Sequence, residues 1–79
     1  MHTHIVKIGS QQHEVDLGNV REIEDWSFSS FTFSYLPKDR PGQIVLGPFL
    51  TLADAQTEYE ALWQAFCDYE YLREQQKGS

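Results

Sequence analysis

The sequence predicts an α+β domain: an antiparallel sheet of three to four strands, built as a β-hairpin and then a second hairpin, with one long C-terminal helix packed on one face. Two observations lead there. Up to Leu46 the apolar residues alternate or cluster in short β-branched and aromatic runs separated by Gly, Pro and Asn; from Thr51 onward they recur at steps of three and four. Side chains alternate faces in a strand and return to one face every 3.6 residues in a helix, so this change of period marks the passage from sheet to helix.

The first strand is residues 4–8 (His-Ile-Val-Lys-Ile), and after Gly9-Ser10-Gln11-Gln12 the run 13–17 (His-Glu-Val-Asp-Leu) alternates polar and apolar as a half-buried strand should. Together they form the first hairpin, which Gly18-Asn19 ends. Residues 20–25 (Val-Arg-Glu-Ile-Glu-Asp) fit either a helical turn or an irregular edge segment. From Trp26 to Leu36 the chain is rich in rings. Phe31, Phe33 and Tyr35 share one parity while Trp26 and Phe28 share the other, and a bulge at Ser29-Ser30 would bring all five to one face. The turn 37–42 (Pro-Lys-Asp-Arg-Pro-Gly) follows, and residues 43–46 (Gln-Ile-Val-Leu) return as a strand.

Thr51-Leu52-Ala53-Asp54 fits a shortened capping box, in which the threonine oxygen takes an early helical N–H and Asp54 sits at the positive end of the helix. Leu52, Ala55, Tyr59, Leu62, Trp63, Phe66 and Tyr69 then mark a core stripe, while the helix itself can run to Gln75, with Gly78 suited to an end. Asp54, Glu58, Glu60 and Asp68 project outward as an acidic ridge with no Lys or Arg before Arg73. Glu70 falls on the apolar stripe, whereas Tyr71 and Leu72 fall outside it. Either the helix outruns the sheet there, or its last turns pack on another chain. The candidate partner-binding residues are therefore Asp54, Glu58, Glu60, Asp68, Tyr71 and Leu72.

At 79 residues the chain is one domain, and 41% hydrophobic residues supply a packed core. Twelve acidic residues against six basic ones give a net charge of −6, which repels phosphate backbones and anionic membranes at long range. Nucleic acid and membrane are thus poor partners, and a protein is the expected one. A small sheet also leaves edges that a second copy, in a homodimer, would cover. With no apolar run long enough to span a bilayer, no secretory leader and the single Cys67, a reducing cytoplasm is the expected compartment.

The chemistry of an enzyme is missing. Cys67 sits beside Asp68 at the edge of the apolar stripe and reads as a structural thiol. Glu58 and Glu60, or Asp68 and Glu70, lie two apart on a helix and diverge. The five glycines are isolated and build no phosphate loop. His2 and His4 share a strand face with His13 on the partner strand, but a zinc site needs at least three converging ligands, and these three read as scattered surface histidines. Glu14 and Asp16, the candidates to complete such a set, alternate to the face opposite Val15. Neither a cofactor nor a metal is expected.

The junction Leu46-Gly47-Pro48-Phe49-Leu50-Thr51-Leu52-Ala53-Asp54-Ala55-Gln56 resembles the strand-to-helix junction of the Arm-type DNA-binding domains of phage integrases, and the likeness extends over about residues 26–66. It implies a three-stranded antiparallel sheet followed by a helix. In that family the DNA-facing side of the sheet carries basic and amide side chains; the corresponding face here offers Ser30, Thr32 and Ser34, and the family's arginine position is Gln56. What the resemblance implies is a shared scaffold without the phosphate-neutralising cluster. The expected function is a small acidic non-enzymatic protein-interaction module, a regulator or inhibitor of phage or mobile-element type. The alternatives are a nucleic-acid-binding sheet-plus-helix domain and an acidic DNA mimic.

Overall fold

A computed structural model describes residues 2–24 and 31–77. The expected bulge at Ser29-Ser30, the rings of Trp26 and Phe28, and Gly78 lie outside the described residues. The fold is α+β, with antiparallel strands followed by one long helix. The strands fall into two sheets: β1 (Thr3–Ile8) with β2 (Gln11–Asp16), and a three-stranded sheet of order β3 (Val20–Ile23), β4 (Phe33–Pro37), β5 (Ile44–Leu46). A single 3-10 turn (Leu17–Asn19) joins them, and α1 spans Leu52–Lys77.

The first hairpin is tighter than its sequence suggests. Ile8 pairs with Gln11, so only Gly9 and Ser10 form the turn, with Gly9 at a φ of 63°. A positive φ at the first turn residue matches the twist of a two-residue hairpin and falls to glycine at no steric cost. His4, Val6, His13 and Val15 point inward, with Val6 and Val15 fully buried. Asp16 ends β2 by accepting the Gly18 N–H at 3.0 Å, which caps the 3-10 turn.

Residues 20–23 are an edge strand, the irregular alternative of the two that the sequence left open. Val20 and Ile23 are both buried although they differ in parity, and the register slips between Val20 and Glu22. One extra residue there returns both side chains to the core face, which is what a bulge does. In β4, Phe33 and Tyr35 face the core as their shared parity predicts. Phe31 departs: it lies before the strand, at a φ of 55°, and is exposed. Ser34, on the face opposite the rings, is buried, and its hydroxyl reaches the Gln43 side chain at 3.4 Å.

Eleven apolar residues drawn from β1, β2, the 3-10 turn, β3, β4, β5, the following loop and α1 form one buried cluster. Rings connect its parts: Phe33 stacks on Phe49 at 5.5 Å and meets Tyr59 edge-on at 5.5 Å, and Tyr59, Trp63 and Phe66 continue along the helix. Ala55 and Leu62 are fully buried, whereas Leu52, expected in the stripe, is 38% exposed although it shares the first helical turn with Ala55. Twenty-six residues of helix span about 39 Å, close to the 43 Å long dimension of the molecule. Its last turns pass the final aromatic contact, that of Tyr69 with His2 at 5.0 Å, so Tyr71 and Leu72 stand exposed. Glu70, which projects onto the stripe, meets Arg73 at 3.9 Å in a half-exposed pair of small worth.

Two positions fix the junction into α1. The Asp54 N–H donates to Thr51 Oγ1 at 3.1 Å, the expected cap. Gly47, at a φ of 127°, brings the chain against Phe31, whose carbonyl accepts the Phe49 N–H at 2.9 Å; a Cβ on Gly47 would lie 2.8 Å from that same oxygen. Thr51→Ala should therefore cost about 1 kcal/mol, and Gly47→Ala more than about 2 kcal/mol from strain and clash together. Urea unfolding of both variants checks the order, and an equal loss contradicts it.

Candidate functional site

The β1–β2 turn and the entry to α1 face each other across an open groove of about 710 Å³. One side is formed by residues 7–11, the other by residues 48–50 and by Asp54, Thr57 and Glu58. The hairpin turn reaches the groove because β1 and β2 are in register up to Ile8 and Gln11. The opposite side is set by the capped helix start, which places Asp54 and Glu58 one turn apart on one side of α1.

Leu50 is the unusual residue of this groove. It directly precedes the Thr51 cap, where an apolar side chain ordinarily folds back on the fourth helical residue, here Ala55. Instead Leu50 is 77% exposed, while Ala55 is wholly buried in the core. Phe49 forms the buried apolar base beside it, with Ile8 half-buried and Pro48 exposed at the margin. Among the described residues neither carboxylate of the groove has an ion-pair partner, and neither does Lys7.

The sequence-predicted residues separate into four places. Asp54 and Glu58 line the groove. Glu60 accepts a hydrogen bond from the Gln56 amide at 3.4 Å, and Asp68 one from the Gln64 amide at 3.0 Å, both between neighbours on successive turns. Tyr71 accepts from the Gln75 amide at 2.9 Å and lines a shallow depression with Glu70 and Glu74. Leu72 borders a small hollow beside His2 and Tyr69. The structure thus brings Asp54 and Glu58 together and leaves Glu60, Asp68, Tyr71 and Leu72 apart from them. Sequence reasoning missed Lys7, Ile8, Leu50 and Thr57. Only Leu50 carried a signal, an apolar residue outside both the strand and the helix period; the others meet the helix through a fold that brings residue 8 beside residue 58.

His4 and His13 share the inner face of the first hairpin, whereas His2 packs on Tyr69. Among the described residues the buried Nε2 of His4 has no hydrogen-bond partner. Among the described residues no group of three or more His, Cys, Asp or Glu side chains could hold a metal ion. Cys67, expected at the edge of the buried stripe, is exposed. No helix of the described residues is long and apolar enough to cross a membrane.

Away from the groove, the Asn19 amide and the Arg40 guanidinium hold the exposed Asp39 carboxyl below its ordinary range. Burial pushes the Tyr35 phenol above its ordinary value of 10.0; Arg40 opposes the shift, and Asp39 and Asp16 add to it. No family model, curated protein or solved structure matches the chain.

The Tyr35 shift has a direct consequence for stability. The folded state holds the phenolic proton more tightly than the unfolded chain, so this contribution is complete below the unfolded value and is lost as pH rises through the folded one. Stability should decline above about pH 10, and Tyr35→Phe should flatten part of that decline. Urea unfolding of both proteins from pH 8 to 11 measures it; parallel curves contradict the assignment to Tyr35.

Proposed function

We propose that this chain is a non-catalytic protein-interaction module that seats a partner in the groove between the β1–β2 turn and the start of α1, and acts as a small regulator or inhibitor through that contact. The observation that carries this reading is the pairing of Leu50, 77% exposed, with the carboxylates of Asp54 and Glu58, which have no ion-pair partner among the described residues. An exposed leucine beside a buried phenylalanine gives a partner apolar area to cover, at about 25 cal/mol per Å². Charges free of internal partners set orientation and speed of encounter.

A photoreactive phenylalanine analogue at position 50, used in extract of the native cell, tests the reading. It should crosslink a discrete partner, while the same analogue at Asp39, outside the groove, should not. Joint reversal of Asp54 and Glu58 to lysine should weaken capture by roughly tenfold, with the deficit shrinking at high salt. Reversal of Glu60 and Asp68, whose carboxylates already meet neighbouring amides, should change it little. Equal effects of the two double reversals would remove the groove from consideration.

A further inference from the structure

We infer that the groove takes a cationic, aliphatic segment of its partner, with an arginine placed against Asp54 and Glu58 and a flanking Leu, Ile, Val or Phe against Leu50 and Pro48. This deepens the proposed function and rests on its reading of the groove as the docking site. Local charge gives the first reason: two acidic residues and one basic residue, Lys7, line the groove, and none of the three has an ion-pair partner among the described residues. The net charge of −6 supports it at longer range by attracting cationic segments and repelling anionic ones.

Spacing favours arginine over lysine. Residues four apart on a helix hold their Cβ atoms about 5–6 Å from one another, and a planar guanidinium with five donors can bridge two carboxylates that a single ammonium serves less well. The apolar half of the groove supplies the flanking preference. Phe49 is buried at its base, Ile8 is half-buried, and Leu50 and Pro48 are open to solvent, so an aliphatic or aromatic neighbour of the arginine finds surface to cover.

The test is a random heptapeptide library selected against the full chain, followed by titration of an enriched peptide observed through backbone amide resonances. The expected peptides carry arginine beside an aliphatic or aromatic residue. Their shifts should centre on residues 8–11, 50 and 54–58, and affinity should fall about tenfold both for the Asp54→Asn, Glu58→Gln chain and for the peptide with citrulline in place of arginine. Thermal unfolding of that variant confirms that it is folded. Peptides that map to the groove without cationic enrichment overturn the arginine assignment and leave protein docking standing. Peptides that map elsewhere, or a library that yields none, overturn both. Concentration-dependent shifts at the groove amides without peptide would assign the groove to a second copy and also overturn the inference.

Discussion

Phe33 is the residue on which the rest of the structure depends. Its ring is buried to 2% exposure at the start of the central strand of the larger sheet, stacked on Phe49 of the loop that leads into α1 and set edge-on to Tyr59 about two turns beyond the helix start. Strand, loop and helix therefore meet on one side chain. Such ring pairs contribute about 0.5–1.5 kcal/mol beyond the area they bury. In a chain of 79 residues, whose whole stability is of the order of 4–12 kcal/mol, two of them are a large share.

That constraint is also what shapes the groove. With Phe49 held inward by Phe33, the residue after it is turned out, and Leu50 stands in solvent while the Thr51 cap begins the helix. The helix then presents Asp54 and Glu58 on the side where the β1–β2 turn arrives. The opposite wall is fixed separately, by the two-residue turn at Gly9 and Ser10 and by Val6 and Val15 in the shared core. Among the described residues no hydrogen-bonded ladder connects β1–β2 to the other sheet, so the two walls meet chiefly through packing in the shared core.

Local signals in the chain were read correctly where one physical rule acted alone. Alternation in residues 13–17 places Val15 inside, the threonine before an apolar stripe caps a helix, and steps of three and four put Ala55 and Leu62 in the core. Legibility fails where two rules compete or where tertiary packing decides. Val20 and Ile23 break strand parity because a bulge absorbs the extra residue, and that bulge exists only because β4 lies alongside. Leu52 follows the helical period yet is exposed while Ala55 in the same turn is buried, because the period reports direction and not which flank of a turn the core covers. Of the candidate site, Asp54 and Glu58 were visible as part of an acidic face. Their separation from Glu60 and Asp68 was not, since it is set by the hairpin that approaches one flank of the helix.

Hydrogen exchange on the folded chain and on Phe33→Leu tests the role of the central ring most directly. If Phe33 holds one core that includes both sheets and the helix, the slowest amides of β1–β2, of β4 and of α1 open with a common free energy, and the substitution lowers all three by the same amount. A β1–β2 hairpin that keeps its protection while β4 and α1 lose theirs would show two independent units, and would contradict a groove whose two walls share one core.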